Sequence, residues 1–300
     1  MDRYCSFAKL VIEKIKNKFL IGSSASITFT YVGLSVKSYM DGLTIDQNQY
    51  IASLKPIPIS KSRMLEKKER LVESEKKAYR SLVGQLNWIA THTRPDVAFE
   101  TCVLSISFYD AIVADLLRLN KLVERVQRES VNLYFPRLQG IEKCNLEVYT
   151  DAAFKNLPNG KSQGGFIIFL QDLSGQRCPI FWRSKKLERT HISTLAAENQ
   201  ALIEGAQMGV YLASILRYLV ENISIHVRCY TDNKSLVDAL ASTKQMENPK
   251  LRQDTLVLKD MLDRSEIQPV TWVRSENQLA DSLTKRGVCT DKLKKQISRD

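Results

Sequence analysis

The stretch "LEVYTDAAF" (residues 146–154) closes a β-type run on an aspartate, and "HVRCYTDNK" (226–234) repeats the device further along the chain. Side chains alternate along a strand, so Glu147, Tyr149 and Asp151 share one face while Leu146, Val148 and Thr150 share the other. In the second run His226, Arg228, Tyr230 and Asp232 share a face in the same way. The matching Tyr-x-Asp endings predict that, in parallel neighbouring strands, the two aspartates meet at the carboxyl edge of one sheet. A strand stop also carries Asp for turn chemistry alone, so the pair has meaning only with other groups around it.

Working outward, strands are expected at 145–151, 164–171 and 178–184, separated by the turn residues of "NLPNG" (156–160) and "DLSG" (172–175). A long helix follows at 193–221, then a strand at 225–232 and a short helix at 234–242. Asn248-Pro249 has the form of an N-cap and first-turn proline opening a helix to 263. A fifth strand is expected at 268–274, and Ser275 with Gln278 suits the capping box of a last helix. This order, βββ-α-β-α-α-β-α, implies an α/β fold with a mixed five-stranded sheet flanked by helices.

Upstream, residues 7–20 alternate apolar and basic groups at helical spacing, and 26–38 reads as one strand. "KPIPIS" (55–60) breaks structure, 61–90 is expected to be largely helical, and 110–133 is an amphipathic helix with Ile112, Leu116, Leu119, Val123 and Val126 inward.

Two further acids join the strand-end pair. On the long helix, Leu195, Leu202, Ala206, Gly209, Ala213 and Val220 form the buried stripe, and Glu198 lies at its border. Such a glutamate either reaches water or needs a partner. Asp281, in "ENQLADSLTK", falls in the first turn of the expected last helix, where Asp is also common for dipole reasons. Four converging carboxylates repel and raise one another's pKa unless cations intervene. Hard oxygen donors suit Mg²⁺ or Mn²⁺, and no His/Cys set competes for zinc. Two such ions about 3.5–4 Å apart serve phosphodiester cleavage.

Composition narrows the class. Lys and Arg number 44 against 33 Asp and Glu, a net charge of +11 that suits a polyanionic partner. The 6 cysteines are scattered without a C-x-x-C pair, which argues against a zinc site or disulfide framework. No apolar run reaches the length of about 18 residues that a membrane helix needs, and Lys9, Glu13, Lys14 and Lys16 interrupt the N-terminal pattern. An intracellular location, cytoplasmic or nuclear, with no membrane partner, is expected.

The pieces "VYTDAAF", "SQGGFIIFL", "IFWRSKKLERTHISTLAAENQAL", "CYTDNKSLVDAL" and "QLADSLTK", in this order, resemble the ribonuclease H domain of copia-type LTR-retrotransposon polyproteins. "AYRSLVGQLNWIATHTRPDVAFE" (78–100) resembles the connecting segment between polymerase and ribonuclease H, and "FTYVGLSVKSYMDGLTIDQNQYIASL" (29–54) the end of the reverse transcriptase palm entering the thumb. The resemblance implies three segments: a palm and thumb remnant (1–62), a helical connection (63–144) and a ribonuclease H-like domain (145–300). It implies catalytic, metal-holding acids at Asp151, Glu198, Asp232 and Asp281, and two Mg²⁺ ions, with Mn²⁺ as a substitute. The implied reaction is endonucleolytic hydrolysis of the RNA strand of RNA–DNA hybrids.

Two departures from the pattern bear on activity. "YMDG" (39–42) follows the palm strand and has Gly42 where a polymerase needs a second Asp, so no polymerisation is expected. The three histidines, His92, His191 and His226, all lie outside 233–280, where related enzymes carry a mobile-loop His. Phosphate contacts are expected from Arg183, Lys185 and Lys186, and Lys250 and Arg252 are candidates to replace that His. Asn233 either reaches a 2′-hydroxyl or caps the next helix. Trp88, Trp182 and Trp272 are assigned to the core. The expected partners are an RNA–DNA hybrid and the polymerase portion of a Pol polyprotein. The rival expectation is a catalytically silent fragment that binds nucleic acid or a protein.

Overall fold

The computed structural model describes residues 13–18, 27–140, 142–220, 222–243 and 247–299. Residues 13–18 are helical (α1), the described part of the helix expected at 7–20. The rest of that expectation, and residue 26 of the strand after it, lie outside the described residues.

The expected strand over 26–38 is instead a hairpin, β1 (Thr28–Tyr31) and β2 (Leu34–Ser38). Its two-residue turn has Val32 at φ 47° and Gly33 at φ 77°, the left-handed backbone that matches strand twist in tight hairpins. β3 (Gly42–Asp46) pairs with β2, and β4 (Leu133–Pro136) pairs with β3, completing a four-stranded antiparallel sheet. A strand from the segment 63–144 thus finishes the sheet of the segment before it.

Helices α2 (Asn48–Ser53), α3 (Lys61–Leu65), α4 (Glu73–His92), α5 (Ala98–Ile106) and α6 (Val113–Arg128) lie between β3 and β4. The helix expected over 61–90 is broken between α3 and α4. There the backbone turns to the strand-like lead-in of α6, with Leu71 N–H bonded to Ala111 O at 3.0 Å and Val113 N–H to Glu69 O at 2.9 Å. The stripe Leu116, Leu119, Val123 and Val126 is buried as its spacing predicts.

The second sheet has the order β7-β6-β5-β8-β9, comprising β5 (Lys143–Ala153), β6 (Gln163–Gln171), β7 (Arg177–Lys186), β8 (Ser224–Thr231) and β9 (Thr271–Trp272). β5, β6 and β7 are antiparallel in sequence order; β8 and β9 run parallel to β5. This is the expected α/β arrangement, a mixed five-stranded sheet flanked by helices. The fifth strand is two residues long rather than the seven expected over 268–274, because β9 meets β8 only at Tyr230–Thr271 and Thr231–Trp272.

Both sheet faces are covered. One packs Leu146, Val148, Phe166 and Ile168 against Leu202, Ala206 and Ala213 of α7 (Thr194–Leu219). The other packs Tyr149, Ile167 and Phe169 into a core shared with Tyr79, Leu86, Leu116 and Leu119 of the upstream helices. At Gly205 of α7 a Cβ would stand 2.6 Å from Thr150 Cγ2, and at Gly209 2.8 Å from Val227 Cγ1. The two glycines let the helix backbone approach the sheet closely, which draws Glu198 toward the strand ends.

α8 (Lys234–Ala241) and α9 (Pro249–Asp263) follow β8, with Asn248 capping α9 through its side chain as expected. The last helix departs from expectation. Gln278 makes no capping box; its amide donates to Thr150 O at 2.9 Å, and the chain forms short 3₁₀ turns at Ser275–Asn277 and Asp281–Leu283. The terminal helix α10 (Asp291–Ile297) comes later and ties the segments together. Lys294 Nζ meets Glu129 at 2.7 Å, and Arg299, just beyond the helix, meets Asp41 at 2.8 Å. No described helix is long and apolar enough to cross a membrane.

Candidate active site

β5 and β8 are parallel neighbours with Tyr149 level with Tyr230, and the two rings stack at 4.8 Å. Two residues on, Asp151 and Asp232 therefore emerge at the same sheet edge. Asp151, Glu198 and Asp232 each offer one carboxylate oxygen, and these oxygens lie within 4.8 Å of one another. Glu198 does not reach out to water: it is 4% exposed, and its Oε2 is buried with no hydrogen-bond partner.

Asp281 stands one step further away. It opens a 3₁₀ turn instead of a helix, and Lys285 Nζ bridges it at 2.6 Å to Asp151 at 3.1 Å. Thr284 Oγ1 donates to the other oxygen of Asp151. Asp232 accepts from Ser275 Oγ at 2.7 Å on its side chain and from Trp272 Nε1 at 3.0 Å on its backbone carbonyl. Trp272 is 44% exposed, so it is not a core residue; the short β9 leaves it on the surface beside the acids. Trp182 is partly buried and donates to Ala90 O at 2.7 Å, and Trp88 is half-buried against His92.

Residues 149–287, which carry all four acids, match the family described as reverse transcriptase-like. Over a longer span, the chain is 24% identical across 292 residues to the retrovirus-related Pol polyprotein from transposon RE1 of Arabidopsis thaliana, covering 91% of this chain. It is likewise 24% identical across 295 residues to that from transposon RE2. The chain spans 19% of the length of these curated relatives. Among solved structures, the foamy viral protease-reverse transcriptase in complex with RNA/DNA hybrid aligns with 87% of this chain and 31% of its own, at 13% identity and TM-score 0.41. RNase H1 from the halophilic archaeon Halobacterium salinarum aligns with 47% of this chain and 94% of its own, at 17% identity and TM-score 0.36.

The clustered acids are strained electrostatically. Burial, with Asp281 and Asp232 nearby, pushes the Asp151 carboxyl up to about 6 against the pull of Lys285 and Thr284. Burial, followed by the charges of Asp151 and Asp232, holds Glu198 well above the ordinary carboxylate range. Burial works to lower Lys285, but Asp151 and Asp281 outweigh it and leave its ammonium more firmly charged than usual.

Glu198 binds its proton more tightly folded than unfolded. Its contribution to stability therefore falls as pH rises above the ordinary glutamate range and through the raised folded value. Glu198→Gln is expected to stabilise the protein in EDTA at pH 8 by about 1–3 kcal/mol, the cost of an unsatisfied buried group. The gain should shrink toward pH 5. Urea melts at the two pH values check this, and equal midpoints for both proteins at pH 8 would contradict it.

Of the other candidates, Asn233 lines the acid cleft with Lys234 and Lys285, and its side chain caps α8 by accepting from Leu236 N–H at 3.0 Å. Arg183, Lys185, Lys186, Lys250 and Arg252 do not line that cleft. Arg183 lies over the Phe181 ring, and Lys185 pairs with Glu204 at 3.0 Å. Lys186 ends β7, and Lys250 and Arg252 sit in the first turn of α9. Sequence reasoning missed Lys285, Thr284, Ser275 and the role of Trp272. The only local signal was the run "LTK" after Asp281, read as motif rather than as ligand to Asp151.

Proposed function

We propose that this chain hydrolyses the RNA strand of RNA–DNA hybrids with two bound Mg²⁺ ions, without polymerising. One observation carries the reading: three carboxylates from β5, α7 and the end of β8 converge within 4.8 Å, and one buried oxygen, Glu198 Oε2, is left without a partner. An all-oxygen donor set fits a hard divalent cation. Asp151, Glu198 and Asp232 would hold the metals, with Asp281 completing the second position. The bound metals supply a water of lowered pKa and neutralise charge on the phosphate.

The chain's own groups hold the acids in place. Thr284 and Lys285 fix the Asp151 carboxylate, Ser275 fixes Asp232, and Gly205 and Gly209 let α7 carry Glu198 in. The copia-type affiliation, the hybrid substrate, an intracellular location and association with the polymerase portion of a Pol polyprotein belong to the same proposal.

Lys285 supports a second reading. Its ammonium already neutralises Asp151 and Asp281, as it would in a fragment that binds nucleic acid without cutting it. Purified chain, Mg²⁺ and a hybrid labelled on each strand separate the two. Metal-dependent fragments of the RNA strand, with the DNA strand intact, support the nuclease; an intact RNA strand at every Mg²⁺ concentration supports the silent fragment.

A pH dependence follows from Asp151. It ligates only as the carboxylate, so below about 6 a proton competes for the site. Apparent Mg²⁺ affinity is expected to fall roughly tenfold per pH unit below that value, measured by titrating Mg²⁺ calorimetrically. An affinity flat from pH 7 to pH 5 would remove Asp151 from the ligand set.

A further inference from the structure

Beside the acid cleft lies a larger groove, walled by α6 on one side and by residues 153–158 and 285–287 on the other. Ala153 and Lys285 line both, so the groove and the cleft are continuous. Arg118, Lys121, Arg125 and Arg128 of α6 follow one another at three- and four-residue steps, which puts them on one helix face. All four line the groove, and Arg286 faces them from across it. Its acidic lining residues are Glu100 and Glu124.

Three of the arginines are partly satisfied, Arg118 by Asp115, Arg125 by Glu100 and Arg128 by Glu129. Each guanidinium keeps further N–H donors. Among the described residues, Lys121 and Arg286 are exposed and make no ion pair within 4 Å. The basic row from Arg118 to Arg128 runs about 15 Å at about 1.5 Å per residue. That is the axial run of about four phosphates of one strand at about 3.4 Å each. Phe99, Val103, Leu122 and Leu157 add an apolar floor.

We infer that this groove is a second nucleic-acid subsite, taking the phosphate backbone of the substrate where it leaves the acid cleft. The inference rests on the reading of the acids as a nucleic-acid-cutting centre. Charge complementarity and continuity with that centre favour a nucleic acid over an acidic protein. The upstream helices then do more than support the sheet: α6 extends the footprint of the acid site.

The test uses the full chain, with Lys121→Ala/Arg286→Ala as the variant, because both side chains are exposed and their removal leaves the core intact. Fluorescence anisotropy in Ca²⁺ measures affinity for RNA–DNA hybrids of stepped length without requiring cleavage. Wild type is expected to bind long hybrids more tightly than short ones. The variant should lose that length advantage, about tenfold or more in Kd on the longest hybrid. Its salt slope should fall by about two, since each lost phosphate contact removes about 0.9. Unchanged length dependence in a variant with a wild-type melting curve would overturn the inference, as would an equal loss on short and long hybrids. Tight capture of poly-glutamate through these two residues, with hybrid binding unaffected, would overturn it in favour of an acidic protein partner. Failure of the cleavage reading is told apart, because it appears as an uncut RNA strand whatever the binding curves show.

Discussion

Asp151→Asn, Glu198→Gln and Asp232→Asn are each expected to lower metal-dependent hybrid cleavage by about 10³-fold or more, the scale of removing one member of a set that acts as a unit. The three share one pocket within 4.8 Å. On the proposed reading, losing one carboxylate would remove a metal ligand and leave the other two with less charge to hold a cation. Asp281→Asn should cost less, about 10–100-fold, the scale of groups that tune a metal site from outside. The Asp281 carboxylate meets that of Asp151 through the Lys285 ammonium in this structure. Single-turnover cleavage of a labelled hybrid in Mg²⁺ measures all four. The Glu198→Gln protein guards against a trivial explanation, because it should be inactive while more stable than wild type. Cleavage by Asp151→Asn at the wild-type rate would remove the acid cluster from the reaction.

Arg94→Leu is expected to destabilise the whole fold by about 3–5 kcal/mol, the scale of breaking a buried ion pair by deleting one partner. Arg94 is fully buried. Its guanidinium grips Asp96 through two bonds of 2.8 Å and donates to Val126 O at 3.3 Å and Glu129 O at 2.8 Å. The last two are carbonyls at the end of α6, which have no helical donor. Removing Arg94 leaves Asp96 charged and unpaired and those carbonyls unsatisfied. Arg94→Met/Asp96→Leu should recover part of the loss, since the stranded charge is gone. Urea unfolding, followed by circular dichroism, measures both. A shift under about 1 kcal/mol for Arg94→Leu would show that water replaces the guanidinium at this position.

The motif around Arg94 shows what sequence reading reaches. "THTRPD" (91–96) was legible as a signature, but its physical cause, a guanidinium closing the end of a helix some thirty residues further on, was not. The pairs within the acid site divide in the same way. The Tyr-x-Asp endings put Asp151 and Asp232 in equivalent poses at their strand ends, because side-chain alternation is a short-range rule; that they meet depends on β5 and β8 being parallel neighbours, which the sheet shows. Lys285 and Thr284 could not be attached to Asp151, since they are more than 130 residues apart from it along the chain. The hairpin at Val32-Gly33 was overlooked because Val at a left-handed turn position is uncommon. The last helix was misplaced because a capping pattern was present, while Gln278 spends its side chain on the backbone of β5.

By itself the sequence determined the strand alternation and the apolar stripes of α6 and α7, which depend on neighbours within a few residues. Tertiary structure alone decided that three acids share a pocket while the fourth is held off by an ammonium. It also decided that Trp272 faces solvent, and that a basic row on α6 opens into the acid cleft. Those outcomes depend on how separate elements are brought against each other, and packing of distant segments leaves no local periodicity to read.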